Sequence, residues 1–262
     1  MRQSNGYVVI STMILTIICA SLLASVKMVL TPEHKKNEEV DNKSKILAAY
    51  EPLIEGTDVL KKYDENIEGI VLNSKGEQVF TDTNGDSLDA SRIDILKVFK
   101  ETDDSKKFYP VFKYRSEVFE GQYGAFIIPM YGNGLWDYIS GYIALEPDFN
   151  TIKGAVLAHK GETPGLGARI TDADVQARFV GKKIYDDAGV LQSVAMVKGE
   201  GGASDFGDHK VDGLSGASMT TAGVNDMLAN YFGIYETYFK SELEKAKSNT
   251  GGSSEEDLHN KM

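Results

Sequence analysis

Residues Gly6 to Val26 read GYVVISTMILTIICASLLASV, roughly twenty residues without a charge. A stretch of that length spans the hydrocarbon core as a helix, because only a helix or a closed barrel bonds all its backbone polar groups there. One amino-terminal anchor is expected over residues 1–30, with the remaining chain outside the bilayer. A cleaved signal peptide is the competing reading. The apolar part is long for one, and Ala20, Ser21, Ala24 and Ser25 do not make an A-x-A cleavage site. Cys19 follows two isoleucines, so the small residue that precedes a lipidated cysteine is missing. Arg2 on one side and Lys27, Lys35 and Lys36 on the other leave the orientation open.

The rest of the chain has room for one sizeable domain. With 262 residues, 42% of them hydrophobic, it can bury a core of roughly 150 to 200 residues. A net charge of −11 argues against nucleic acid, which requires clustered cations. One cysteine excludes internal disulfides and cysteine-held clusters, and His34, His159, His209 and His259 show no metal-ligand spacing.

Pro32 to Tyr50 is mixed-charge and then apolar at Ile46, Leu47 and Tyr50, which predicts a juxtamembrane helix docking its far end on the domain; a solvated linker is the alternative for its first half. Ile67–Leu72 and Glu77–Thr81 around Asn73–Gly76 predict a hairpin. Asp82–Asp89 imitates a calcium loop, but Ser87 stands where the loop needs Gly and Ile93 where it needs Glu, so a solvated turn is expected.

From Phe108 the composition turns aromatic and β-branched. Phe108–Tyr114, Gly124–Tyr131, Tyr138–Leu145 and Ile152–His159 read as the strands that make most of the core. Between two of them, Tyr131–Asp137 is a glycine loop holding Trp136, the only tryptophan. That ring suits packing or the wall of a planar ligand site. His159–Arg169 is a shaped loop, because Pro164 restricts one φ angle and Gly161, Gly165 and Gly167 free others. It can offer backbone groups to a ring edge, or merely lead into a helix over Asp172–Phe179. Ser193–Lys198 reads as a last strand and Gly199–Asp208 as a glycine-rich acidic loop.

Asp212–Thr221 then carries two glycines and four hydroxyls, Ser215, Ser218, Thr220 and Thr221. An apolar stripe follows at helical spacing, Val224, Met227, Leu228, Tyr231, Tyr235 and Tyr238. A hydroxyl at the start of that helix can cap it, or can carry a phosphate that the free N–H groups favour. Hydrolysis is a poor fit. Gly213-Leu214-Ser215-Gly216 misses the nucleophile-elbow spacing, and neither Ser215 nor Ser218 has a lysine three positions on. The polar residues 246–262 read as a disordered tail.

Three segments together, Gly132-Asn-Gly-Leu-Trp136, His159-Lys-Gly-Glu-Thr-Pro-Gly-Leu-Gly167 and Asp212-Gly-Leu-Ser-Gly-Ala-Ser218, resemble the family of FMN-binding C subunits of the bacterial sodium-translocating NADH:quinone reductases. The likeness covers nearly the whole chain. It implies an α+β fold, one transmembrane helix followed by a mixed, largely antiparallel FMN-binding domain with flanking helices. That domain would occupy residues 31–245, with the flavin core at about 125–240.

The resemblance further implies FMN joined covalently, as a phosphoester, to Ser218. Asp212 matches the acidic residue that the family's flavin transferase needs. Ser215, Gly216, Ala217, Thr220 and Thr221 would surround the phosphate. Glu162, Thr163, Gly165, Leu166 and Gly167 would shape the other side, with Trp136 near the ring and His159 bracing the loop. Implied partners are the other subunits of the membrane complex, the transferase and the inner membrane, with the soluble domain periplasmic. The G subunit of the related ion-translocating electron-transport complex shares the flavin domain and is the nearest alternative. A membrane-anchored binding module without flavin is the other.

Overall fold

The computed structural model describes residues 5–115, 122–201 and 206–259, with side chains to Lys245. The first helix, α1, runs Asn5–Tyr50 without a break at Pro32. It is long and apolar enough to cross a membrane by length and composition. The chain divides into two units at Ser44/Lys45. In the first unit the apolar residues 7–30 are exposed almost throughout, as a lipid-facing helix requires.

The second unit is built on one antiparallel sheet. Helix α2 (Val59–Asn66), capped by Asp58, leads into β1 (Ile67–Leu72). The expected hairpin forms, although its second strand β2 is only Gln78–Val79. Helix α3 (Ile95–Lys100) is capped by Asp94. Strands β3 (Tyr109–Arg115), β4 (Tyr123–Asn133), β5 (Tyr138–Leu145) and β6 (Ile152–His159) follow, giving the order β2-β1-β3-β4-β5-β6.

Both faces of this sheet are covered, and the strand residues divide between them with the period of two that the pleat imposes. Ile70, Leu72, Val111, Ile128, Met130, Ile143 and Leu145 belong to one core. Val71, Phe112, Tyr114, Ala125, Ile127 and Ala144 belong to the other, with Ile46, Leu47 and Ala49 at the end of α1 and Tyr63 of α2. Double coverage explains why Ala125–Met130 reads as an unbroken apolar run rather than an alternating one. The expected docking of Ile46, Leu47 and Tyr50 is observed: Tyr50 stacks on Tyr114 at 4.0 Å between ring centroids.

The remaining elements frame the site. Helix α4 is Ala173–Ala177, shorter than expected. The strand expected over 193–198 shrinks to β7, Ala195–Met196, outside the main sheet. It pairs in parallel with β8, Lys210–Val211, two residues too few to carry a pattern. Helix α5 begins at Ser218 and is continuous to His259, where composition predicts a disordered tail from 246; residues 246–262 lie beyond the described side chains. Its stripe Val224, Met227, Leu228, Tyr231, Phe232, Tyr235 and Phe239 is buried on the sheet. Asn225 ties it to β7, accepting from Met196 N at 2.7 Å and donating to Met196 O at 2.9 Å.

Candidate functional site

Strand register brings the first two motifs together. Asn133 pairs with Tyr138 and Ile139 with His159, so the β4–β5 loop and the end of β6 share one edge of the sheet. Lys160 N, donating to Tyr138 O at 3.0 Å, holds the two loops side by side. Helix α5 delivers the third motif. A Cβ on Gly223 would collide with the Asn133 carbonyl, and one on Gly132 would lie 2.9 Å from Met227 Cβ, so glycine permits the crossing.

Glu162 sits where the three meet. Its side chain is buried at 4% exposure. Oε1 accepts from Trp136 N at 3.0 Å, and Oε2 accepts from the Thr220 hydroxyl at 2.5 Å. Burial acts to raise its pKa. The Thr220 hydroxyl and the N–H groups of Trp136, Asp137 and Leu135 outweigh burial, so the carboxyl is held below its ordinary value. Gly134 and Gly167 leave the space this carboxylate occupies: a Cβ on Gly167 would meet Glu162 Oε2 at 2.5 Å and collide with Thr220 Oγ1, and one on Gly134 would collide with Glu162 Oε1.

The loop of the second motif is shaped by its own turns. Leu166 N and Ala168 N both donate to Thr163 O, at 3.1 and 3.2 Å, and Gly165 takes φ +75°. His159 braces it by accepting from Glu162 N at 3.3 Å. Trp136 is not core packing: the residue is 70% exposed, and its indole Nε1 donates to Thr163 Oγ1 at 3.1 Å.

At the start of α5 the four hydroxyls separate by burial. Thr220 is 1% exposed and spent on Glu162; Thr221 is 4% exposed, with its Oγ1 buried and unpartnered. Ser215 and Ser218 are exposed. Ser218 is the first helical residue, where N–H groups lack intrahelical acceptors, while Ala217 O accepts from Thr221 N at 2.9 Å. Ala217 itself is buried, and Gly216 turns the chain at φ +75° against Leu166. Leu135, Trp136, Leu166 and Met219 are large apolar side chains left open to solvent; Met219 follows Ser218 directly, and Leu166 lies against Gly216. An exposed hydroxyl at a helix start, with the exposed Met219 beside it and Leu166 of the second motif against Gly216, fits a phosphate joined to a planar ring.

An ionic cluster that no sequence spacing announces lies beside the third motif. Glu200 accepts from Arg169 Nη1 and Nη2 at 2.7 and 2.8 Å and from Arg178 Nη2 at 2.8 Å. Arg178 Nη1 also donates to Gly213 O at 2.8 Å. Arg169 and Arg178, with smaller help from the Ser215 N–H, hold the Glu200 carboxyl down at about 2. Asp212 is tied to the same segment, its Oδ2 accepting from Gly201 N at 2.5 Å. The partners are 22 and 31 residues apart, so only the acidic residue in a glycine-rich loop could have drawn notice. A cavity of about 400 Å³ between α3 and α5, walled by Phe99, Tyr131, Asn133 and Tyr231, contains none of the expected site residues.

An apolar helix of membrane-crossing length followed by an antiparallel domain with this site defines a class, and residues 134–232 match the family described as FMN-binding domain. The chain is 34% identical over 256 residues to the C subunit of the Na(+)-translocating NADH-quinone reductase of Neisseria meningitidis serogroup B, covering 94% of this chain and 96% of that protein. It is 32% identical to the corresponding C subunit of Haemophilus ducreyi, over 91% and 93% of the two chains. The crystal structure of the C subunit from Parabacteroides distasonis superposes with a TM-score of 0.68 at 36% identity, over 80% of this chain and 96% of that one. The chain belongs to the family of C subunits of the Na(+)-translocating NADH-quinone reductases.

Proposed function

We propose that Ser218 carries FMN through a phosphoester, and that the chain is the electron-carrying C subunit of a membrane complex that oxidises NADH, reduces ubiquinone and moves sodium. The supporting observation is the division of the four hydroxyls: Ser218 is exposed at the first position of α5, whereas Thr220 and Thr221 are buried. Ser215 is exposed as well, but it lies before the helix.

In this reading the Ser218 oxygen attacks the FMN phosphorus of FAD on a flavin transferase. A serine–phosphate bond forms, the pyrophosphate bond breaks, and AMP leaves while the hydroxyl proton is given up. Asp212 serves recognition by the transferase. The first N–H groups of α5 and its dipole favour the phosphate. Gly216 lets the chain turn tightly beside it, and Trp136, Leu166 and Met219 flank the ring. Bound there, FMN supplies one-electron chemistry, and a tether through the phosphate leaves its ring electronics to the protein environment.

The other subunits supply donor and acceptor. No G-x-G-x-x-G fingerprint follows a strand, so this chain is not the NADH site. The helix α1 anchors it in the inner membrane with Arg2 cytoplasmic and the domain periplasmic. The relatives named above are C subunits, which disfavours the G subunit of the related electron-transport complex.

Mass spectrometry of the peptide 212–240 tests the tether. Made together with the transferase, the peptide should gain the mass of FMN less water on Ser218, and the denatured protein should keep flavin fluorescence in a gel. Ser218→Ala should lose both, and Ser215→Ala neither. Retention in Ser218→Ala would move the attachment to another hydroxyl, and a colourless wild-type chain would favour the flavin-free binding module.

A further inference from the structure

Among the described residues Glu162 is the one charged side chain in the buried set, and no salt bridge reaches it. Its partners are neutral: the Thr220 hydroxyl, the Trp136 N–H, and the N–H groups of Leu135 and Asp137. Such donors stabilise a carboxylate without cancelling its charge. Inside a protein a charge so held acts over a longer range than in water. The same carboxylate fixes Trp136, since Oε1 binds the Trp136 N–H while Oε2 binds the first turn of α5, two residues beyond Ser218.

We propose that Glu162 is a positioning and potential-setting residue: a fixed, cation-free negative charge that holds Trp136 against the start of α5 and disfavours adding electrons to the flavin on Ser218. The proposal rests on the tether described above. An electron entering the ring adds negative charge beside one already present, so the ring is harder to reduce and a stronger donor once reduced. Glu162 does not need to titrate for this, because its donors keep it ionised at neutral pH.

Two readouts separate the charge from the bracing. Glu162→Gln keeps the size and removes the charge. In the flavinylated full chain its midpoint potential, by spectroelectrochemical titration, should shift to more positive values. In the unflavinylated chain Trp136, the only tryptophan, reports bracing without any flavin, and its acrylamide quenching should rise. Thr220→Val breaks the bond to α5 but keeps the charge. Its quenching should rise too, with a smaller shift in potential than Glu162→Gln.

An unchanged potential in flavinylated Glu162→Gln, or an equal shift in Thr220→Val, overturns the potential-setting role while leaving the tether intact. Unchanged Trp136 quenching in both variants overturns the positioning role. If Glu162→Gln fails to fold, Glu162→Asp decides: the charge remains, so the potential should hold, and a positive shift overturns the proposal. Failure of the tether is read separately, as covalent flavin surviving Ser218→Ala.

Discussion

Two loops of this molecule are made from the same residue types and do opposite things. The turn 82–89 and the site around 134–137 and 159–167 both combine glycine, acid and threonine. In the first, Asp82 accepts from Asn84 N at 2.8 Å and Asp86 N at 2.9 Å, all within four residues. In the second, Glu162 accepts across 26 and 58 residues. The glycines differ in the same way. Gly85 takes φ +90° with nothing within 4 Å of a Cβ, so it serves the local turn. Gly167 has no such angle; it is glycine because Thr220 and Glu162 occupy the space of a side chain. A carboxylate satisfied by its own loop makes a turn, whereas one satisfied by distant elements makes a site.

The contrast is most exposed to disproof in Gly167→Ala. The added methyl displaces Glu162 or Thr220 and forfeits their bond, so a loss of about 3 kcal/mol is expected in denaturant unfolding of the protein. Trp136 emission should change with it. A loss near zero would mean that the site tolerates what the geometry forbids. Gly85→Ala should cost less, about 1 kcal/mol, from the left-handed backbone alone, and should leave Trp136 emission untouched. An altered Trp136 signal in that variant would end the separation of the two regions.

The smallest effect is the dependence on acid at Glu200. Its pKa is depressed from the usual 4.5 to about 2 by Arg169 and Arg178. A depressed carboxyl stabilises the fold above its unfolded pKa, and that contribution is lost as pH falls through the folded one. Thermal midpoints should therefore fall between about pH 4.5 and pH 2, and Glu200→Gln should flatten the slope in that window. An identical slope in the variant would show that the arginines do not hold the third motif through Glu200.

Much of the fold is legible locally. Strands β5 and β6 stand where the β-branched and aromatic runs place them, residue for residue, because burial on both faces demands such runs. The apolar amino-terminal helix, the hairpin and the start of α5 are legible for similar local reasons. The two-residue strands β7 and β8 are not, since two residues carry no period, and β7 is held from a distant part of the chain by Asn225 of α5. Within the site, the motifs stand out in the chain, but the residues around Trp136 favour packing over a ligand wall until its 70% exposure is known. The pairing of Arg178 with Glu200 carries no signal, because an ion pair has no sequence period and its partners come from separate segments.

The order of elements, the long apolar amino-terminal stretch and the three motifs are properties of spacing along the chain, and the chain alone shows them. Which motif residues touch is settled by packing in three dimensions. Glu162, Trp136 and Thr220 are neighbours because the register of β4, β5 and β6 and the crossing of α5 at Gly223 place them so. The same crossing buries Thr220 and Thr221 and leaves Ser218 open. Exposure depends on what packs over a residue, and composition around Ser218 could not supply that.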